Sequence, residues 1–218
     1  MSLPADIGGI CFDMDGVLVH SEAFWVDEQR THILPTAAPD DEIPVAAITG
    51  RNFREVYPDL AAEYDLAVSR EEFEAMFEEA AVRIYGEQAP LLEGAHDLLS
   101  ALADRGVPLA LTTSAPRSWI DRVDERFDLT AHFDAVVSAE DLDAPGKPAP
   151  HIYRRGAAAL GADPESCIAI EDSVAGVEAA TAAGLYTVGF RGDGDETTLD
   201  GADEVVTGSE ELAAFLLG

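Results

Sequence analysis

The stretch at residues 94–113, GAHDLLSALADRGVPLALTT, predicts one helix followed by one buried strand. Apolar residues recur at spacings of three and four through Ala95–Arg105, which is the pattern of an amphipathic helix. Gly106 then supplies the stop that is common at helix C-termini. Val107–Thr113 is a short and mostly apolar run, typical of a strand that is covered on both faces. The stretch therefore predicts one helix-strand repeat of an α/β protein.

The same alternation of helix and strand continues to the end of the chain. The expected helices are Pro116–Phe127, Pro150–Leu160, Ser173–Ala183 and Glu210–Leu217, and the expected strands are Ala135–Val137, Cys167–Ile170, Tyr186–Val188 and Glu204–Val206. Short apolar strands alternating with helices of ten to twelve residues predict a Rossmann-like parallel sheet with helices on both faces.

Before this region the pattern differs. Residues 8–13 predict a short buried strand, which must join the same sheet because alone it would bury nothing. Residues 21–85 instead show helical spacings, as in Ala23–Leu34 and Arg70–Tyr85, with Pro35 expected to interrupt the first of these helices. We therefore expect an α/β core at 1–18 and 88–218, with an inserted α-helical domain at 19–87.

Charge is the strongest compositional feature. Thirteen basic residues against forty-three acidic ones give a formal net charge of −30, which would repel nucleic acid phosphates and excludes nucleic acid as an expected partner. Twelve of the basic residues are Arg, and Lys147 is the one lysine. Acid excess with lysine depletion is typical of halophilic proteins in salt-loaded cytoplasms, the alternative being an acidic protein from an ordinary cytoplasm.

Nothing in the sequence predicts a membrane or an export route. The apolar runs are too short to cross a bilayer, and the first residues do not form a basic-then-apolar leader, so we expect a cytoplasmic protein. Cys11 and Cys167 each lie in an apolar, strand-like run, which predicts buried free thiols. We expect a monomer or a weak dimer.

Polar residues that directly follow the strands are the candidates for chemistry, because ligands of parallel sheets bind beyond the carboxyl ends of the strands. After the first strand come Asp13 and Asp15, then Gly16, which permits a sharp turn. Two such carboxylates could bind a cation or act as nucleophile and acid/base, although the same pattern is often only a turn. An EF-hand loop is excluded because its third acidic position falls on Val17.

Three further stretches follow later strands. Thr113 and Ser114 lead into a helix, where they could bind an anion or simply cap the helix. Lys147 lies between Gly146 and Pro148, and its retention in a chain otherwise without lysine favours a role in holding a phosphate or a carboxylate over chance. Glu171-Asp172 opens a helix, either as a cap or as a ligand of Mg²⁺.

Together these four stretches resemble the motifs of the haloacid dehalogenase superfamily of phosphohydrolases, and the resemblance covers nearly the whole chain. The matching stretches are, in order, Asp13-Met14-Asp15-Gly16, Thr113-Ser114, Gly146-Lys147-Pro148-Ala149-Pro150 and Glu171-Asp172-Ser173-Val174-Ala175-Gly176. Residues 16–22 are similar to the subgroup with a small helical cap after the first motif, which includes phosphoglycolate phosphatase and β-phosphoglucomutase.

The resemblance implies a catalytic role for two aspartates. By analogy, Asp13 attacks phosphorus and forms an aspartyl-phosphate, while Asp15 protonates the leaving oxygen and then deprotonates the attacking water or second acceptor. Dehalogenases of the superfamily lack the second aspartate because a halide needs no proton. Asp15 therefore favours phosphate chemistry over cleavage of a carbon–halogen bond.

The other motif residues are implied to bind phosphate and metal. Thr113, Ser114 and Lys147 would hold the phosphoryl oxygens. Mg²⁺ would bind Asp13, the backbone carbonyl of Asp15 and Asp172, with Glu171 nearby or linked through water.

The cap is implied to select a small phosphorylated metabolite as the substrate. Arg51, in Thr49-Gly50-Arg51, lies where the subgroup has its specificity loop, although an exposed surface arginine is an equal alternative. His20 replaces an aspartate that relatives often have, which bears on the cap hinge and on specificity. We expect a phosphatase acting on a sugar phosphate or a phosphoglycolate-like ester. The alternatives are a β-phosphoglucomutase-like mutase and, with less support, a catalytically silent interaction protein.

Overall fold

A computed structural model describes residues 7–48, 53–192, 194 and 197–218 of the chain. In these residues six strands form one parallel sheet, in the order β3-β2-β1-β4-β5-β6. The strands are β1 (Gly9–Phe12), β2 (Leu109–Thr113), β3 (Ala135–Ser138), β4 (Cys167–Glu171), β5 (Tyr186–Arg191) and β6 (Glu204–Thr207). The expected Rossmann-like α/β architecture is confirmed.

Helices connect the strands, as parallel pairing requires. The helices in the described ranges are α1 (Glu22–Glu28), α2 (Leu34–Ala37), α3 (Phe53–Glu63), α4 (Arg70–Arg83), α5 (Ala95–Asp104), α6 (Arg117–Phe127), α7 (His151–Ala159), α8 (Val174–Ala183) and α9 (Gly208–Leu217). None of the helices in those ranges is long and apolar enough to span a bilayer.

The order of the strands places a crevice at the carboxyl end of β1. From β1 the chain proceeds to β2 and β3 on one side, and then crosses over to β4, β5 and β6 on the other. Phe12 at the end of β1 pairs with Leu111 of β2 and with Ile170 of β4. The residues that follow these three strands therefore emerge side by side at the point where the winding direction changes, which is where α/β sheets bind ligands.

The central strands are fully buried, which explains their continuous apolar sequence. Helix α7 packs closely on them through Gly156, where an added Cβ would lie 2.6 Å from Cγ2 of Thr112. Cys11 and Cys167 are buried free cysteines, as expected. Burial raises the pKa of the Cys11 thiol far above its usual value, so this thiol stays protonated and unreactive.

The contacts divide the chain into two compact units, one formed by the residues as far as His20 together with Pro90–Gly218 and the other by Ser21–Ala89. The described part of the second unit is helical. Its interior is aromatic, with Phe77 stacked on Phe53 at a centroid distance of 5.0 Å and on Trp25 at 5.7 Å.

The expected interruption at Pro35 is wrong. A π-helical segment, Gln29–Ile33, joins α1 to α2, and Pro35 lies inside the continuous helical run, at the start of α2. In that segment the N–H of Leu34 bonds to the carbonyl of Gln29, five residues back. Such wider turns, together with the position of Pro35 in the first turn of α2, let the helix continue past a residue that has no N–H of its own.

Candidate active site

Asp13 directly follows β1 and lies at the centre of the sheet edge. Its N–H donates to the carbonyl of Ile170 at 3.0 Å, which continues the pairing between β1 and β4 by one residue. The residue is only 7% exposed. The backbone of Asp13 is therefore held by the sheet itself, and its carboxylate is a pre-positioned group rather than part of a mobile loop.

Lys147 reaches the same point from the loop before α7. Its ammonium lies 2.9 Å from Oδ1 of Asp13 and 2.5 Å from Oε1 of Glu171, and 7% of its side chain is exposed. A lysine is rarely buried to this extent unless it is paired, and here it bridges carboxylates that follow or end two different strands.

Glu171 ends β4, and Asp172 follows it. Carboxylate oxygens of Asp13, Glu171 and Asp172 all lie within 4.8 Å of one another, so together they could hold a metal ion. Gly16 makes room for this approach, because a Cβ at that position would lie 1.6 Å from Oδ2 of Asp172. The first and fourth motifs thus meet at a contact that only glycine accommodates.

The remaining predicted core residues lie around this cluster. Asp15 is half-buried in the turn after Asp13, a turn in which the N–H of Gly16 bonds to the carbonyl of Val19. Thr113 ends β2 and is buried, with its hydroxyl accepting the N–H of Ala115 at 3.0 Å. Ser114 follows it and is exposed.

Of the two residues proposed for specificity, the structure describes only His20. His20 is half-buried, and its N–H donates to the carbonyl of Pro90 at 3.0 Å. This bond joins the two chain segments at the boundary of the helical unit. Arg51 lies outside the described residues.

The electrostatics of the cluster make Asp13 unusual among the carboxylates. Burial is the largest cause that raises the pKa of Asp13 to about 7; Glu171 and Asp15 add to the rise, and Lys147 opposes it. Burial alone would lower the pKa of Lys147, but Asp13 and Glu171 outweigh it and hold that pKa above its usual value. The lysine thus stays charged, while Asp13 is poised between two protonation states near neutral pH, as groups in active sites often are.

Of the residues that contact Glu171, Tyr153 was not singled out from the sequence, and Ser173 was named only within the fourth motif, without a role. The hydroxyl of Tyr153 donates to Oε1 of Glu171 at 2.5 Å, and that of Ser173 donates to Oε2 at 3.1 Å. Burial, followed by the charges of Glu171 and Asp13, raises the pKa of Tyr153 well above its usual value, so its phenol remains a donor. The helical spacing of Tyr153 with Gly156 and Ala157 was the available signal, since it turns the tyrosine toward the sheet.

The arrangement combines a buried carboxylate, a fixed ammonium and further acidic groups. A carboxylate beside a fixed cation can attack an electrophile whose negative charge that cation offsets. Three carboxylates lie together here, those of Asp13, Glu171 and Asp172, and the one lysine pairs with two of them, so an added divalent cation would be bound favourably. These features are those of a site for phosphoryl transfer.

Comparison with known proteins agrees with this chemistry. Hexitol phosphatase B of Escherichia coli K12 is 32% identical over 200 residues, covering 86% of this chain and 85% of that protein. β-Phosphoglucomutase of Bacillus subtilis 168 is 35% identical over 127 residues, covering 58% and 54%. The crystal structure of a HAD family hydrolase from Deinococcus radiodurans R1, with bound phosphate and sodium, is 28% identical with a TM-score of 0.71 and coverage of 96% and 94%.

One family model matches most of the chain. It describes haloacid dehalogenase-like hydrolases and matches residues 7–184, a range that includes every motif residue of the cluster. The chain belongs to the family of haloacid dehalogenase-like hydrolases.

Proposed function

We propose that this protein is a Mg²⁺-dependent phosphatase that hydrolyses a small phosphomonoester, such as a sugar phosphate or a phosphoglycolate-like ester. The observation that carries the proposal is the ion pair of 2.9 Å between Lys147 and a carboxylate oxygen of Asp13. It joins the predicted nucleophile to the predicted phosphate-binding cation in a buried position. Membership of the family and the similarity to hexitol phosphatase B support the same class of substrate.

The reaction has two steps. In the first, an oxygen of Asp13 attacks phosphorus, the bond from phosphorus to the ester oxygen breaks, and Asp15 gives its proton to the leaving alkoxide. In the second, water attacks the aspartyl-phosphate, Asp15 takes a proton from that water, and the bond between Asp13 and phosphorus breaks. Lys147, with Thr113 and Ser114, holds the phosphoryl oxygens through both steps and offsets their charge.

The acidic residues fit a magnesium ion. Carboxylates of Asp13, Glu171 and Asp172 lie close enough together to hold an ion, and oxygen is the donor that Mg²⁺ prefers. Asp13, Asp172 and the backbone carbonyl of Asp15 would hold it, with Glu171 nearby. The ion, when bound, supplies positive charge that neutralises the phosphoryl oxygens. The pKa of Asp13, raised to about 7, supports a need for such a cation, because without it the buried carboxylate binds a proton far more readily than an ordinary aspartate does.

We assign substrate selection to the helical unit, which would act as a cap domain. Proteins similar to this chain have names that indicate different reactions, so similarity over the chain does not by itself decide the substrate. Arg51 and His20 are the residues of this chain proposed to contact or position the rest of the substrate.

The experiment is a screen of phosphorylated metabolites, with release of inorganic phosphate measured with Mg²⁺ and with EDTA. We expect hydrolysis of at least one sugar phosphate or small phosphorylated acid that depends on Mg²⁺ and is abolished by Asp13→Asn. Asp121→Asn, an exposed change of the same kind on α6, is the matched control and should retain full activity. Equal rates for wild type and Asp13→Asn would refute the proposal.

A phosphosugar mutase is the second candidate, favoured by the 35% identity to β-phosphoglucomutase over 127 residues. A mutase must hold two phosphates and keep water from the aspartyl-phosphate. Incubation with β-glucose 1-phosphate and a trace of the bisphosphate separates the two: glucose 6-phosphate indicates a mutase, and free phosphate a hydrolase. A catalytically silent protein would give neither product from any substrate.

The surroundings of the enzyme follow from its charge. We infer a salt-rich cytoplasm, because a formal net charge of −30 is tolerated best where salt screens self-repulsion. We also propose a monomer or a weak dimer. Phosphatase activity measured across a range of KCl concentrations tests the inference, which predicts higher activity at molar salt than at 0.1 M.

A further inference from the structure

Tyr153 is the buried aromatic residue that links α7 to the active-site cluster. Its hydroxyl donates to Oε1 of Glu171 at 2.5 Å, and its ring centroid lies 5.3 Å from the Lys147 ammonium. The side chain is fully buried. The phenol therefore touches both the carboxylate and the cation that stand next to Asp13.

Glu171 is held at both of its oxygens. Oε1 accepts hydrogen bonds from Lys147 and from Tyr153. Oε2 accepts the N–H groups of Asp172 at 3.1 Å and Ser173 at 3.3 Å, and the Ser173 hydroxyl at 3.1 Å. An ionised carboxylate has about four acceptor positions, so these five donors saturate it.

Packing fixes the same carboxylate from the side. A Cβ on Gly176 would lie 1.9–2.0 Å from the carboxyl atoms of Glu171, so the helix backbone of α8 closes directly over this group. Glu171 is 0% exposed. The group is thus an immobile anchor, and what it contributes depends on the donors around it.

The two donors to Oε1 have different roles in the proposed reaction. Lys147 is shared between Glu171 and Asp13, and in the proposed mechanism it also holds a phosphoryl oxygen. If Lys147 were the sole donor to Oε1, turning toward phosphate would leave a buried, charged oxygen without a partner, which is costly. The Tyr153 hydroxyl keeps that oxygen hydrogen-bonded while the lysine moves.

We propose that Tyr153 is a positioning residue for the phosphate site: its hydroxyl holds Oε1 of Glu171 so that Lys147 can direct its charge to the phosphoryl group. The inference rests on the proposed function for its mechanism. It also makes a claim about anion binding that can be measured without turnover.

The experiment compares Tyr153→Phe with wild type. The substitution removes one oxygen atom and retains the ring, so the packing of α7 is preserved, and circular dichroism checks the fold. We expect the affinity for inorganic phosphate with Mg²⁺, measured by calorimetry, to fall about tenfold, with a similar fall in kcat/KM. Tyr57→Phe is the matched control, since it removes a hydroxyl bonded to the Val68 carbonyl at 2.8 Å in the helical unit, and it should leave phosphate affinity unchanged.

A double-mutant cycle tests whether Tyr153 acts through Glu171. In the Glu171→Gln background the change Tyr153→Phe should have little further effect on phosphate affinity, because Glu171→Gln has already removed the negative charge to which the hydroxyl donates. Equal effects in both backgrounds, or wild-type phosphate affinity in Tyr153→Phe, would overturn the inference. Phosphate binding that depends on Tyr153 in a protein that hydrolyses no ester would support it and count against the proposed hydrolase instead.

Discussion

Positive charge is used differently at the edge of the sheet and on the outer surface. Lys147 is 7% exposed and lies between two buried carboxylates. Arg117, on α6, is 45% exposed and pairs with Asp141, which is 33% exposed. Its guanidinium reaches both oxygens of Asp141 and the carbonyl of Val136. The surface pair is bidentate, and yet we expect it to matter far less.

The difference follows from the solvent around each pair. Water and salt screen the exposed pair, so its net contribution to stability is about 0–1 kcal/mol. The buried pair is screened little, and removing one partner leaves a charge without compensation, at a cost of about 3–5 kcal/mol. We therefore expect loss of a buried charge to have a large effect in this protein and loss of an exposed charge to have a small one.

The change Lys147→Met tests the buried end of this comparison and should have the largest effect. It removes the cation that we propose offsets phosphoryl charge, so kcat/KM should fall by at least about a hundredfold. It also leaves Asp13 and Glu171 buried without their ammonium, which should lower the free energy of unfolding in urea, measured in EDTA. Arg122→Met, an exposed change that removes the same charge, is the control. Wild-type kinetics in Lys147→Met would contradict the assignment of this lysine.

Gly16→Ala tests whether the first and fourth motifs meet as described. Gly16 has a φ of +77°, and an added Cβ would also collide with Oδ2 of Asp172. Gly94→Ala is the matched control, because Gly94 has a φ of +74° and nothing within 4 Å of an added Cβ. Backbone strain alone should cost both variants about 1–2 kcal/mol of stability. Only Gly16→Ala should also lose activity, roughly tenfold or more, and equal kinetics in the two variants would contradict the contact.

Binding of Mg²⁺ should weaken as the pH falls. The pKa of Asp13 is raised to about 7, so its carboxyl holds a proton at pH 6 that the ion must displace and has mostly lost it at pH 8. Without metal, this raised pKa stabilises the folded protein at a pH below the pKa that Asp13 has in the unfolded chain. That contribution to stability is lost as the pH rises through 7. The ionised fraction changes about tenfold from pH 6 to pH 8, and the apparent Mg²⁺ affinity should follow it.

The measurement is the increase in melting temperature on adding Mg²⁺, which should be larger at pH 8 than at pH 6. Asp13→Asn removes the titrating group, so the small increase left in that variant should be the same at both pH values. An increase in the wild type that does not depend on pH would show that Asp13 does not compete with protons for the ion.

The sequence predicted the sheet well because its signals are local. Runs such as Val107–Thr113 are too short and too apolar for an exposed element, and Gly106 and Gly184 mark the ends of helices with positive φ. The strands were identified with errors at their ends, as for β5, which continues to Arg191 rather than ending at Val188. The neighbours of a strand, and not its own sequence, decide where its pairing stops.

The details of the helical unit and the residues that support Glu171 were harder to predict. The π-helical segments Gln29–Ile33 and Ile84–Gln88 are wider turns within helical runs. Apolar spacings of three and four predict a helix there but do not predict the wider turn. Tyr153 was not identified because its spacing predicts only that it faces the sheet. Its role depends on Glu171, eighteen residues later, and the two side chains meet because α7 packs on the sheet and on α8.

The change Arg117→Gln tests the exposed end of the comparison and should have the smallest effect. Burial opposes it, but hydrogen bonds from Arg117 and from the N–H of Ser138 lower the pKa of Asp141, so the pair is formed and charged at neutral pH. Its loss should reduce the free energy of unfolding by no more than about 1 kcal/mol in 0.1 M salt, and by less in 1 M salt. Arg122→Gln, on the same helix, removes the same charge from a looser pair at 3.7 Å and should cost less still. A loss of several kcal/mol that high salt leaves unchanged would mean that this exposed pair behaves like the buried one, and the contrast between exposed and buried charge in this protein would fail.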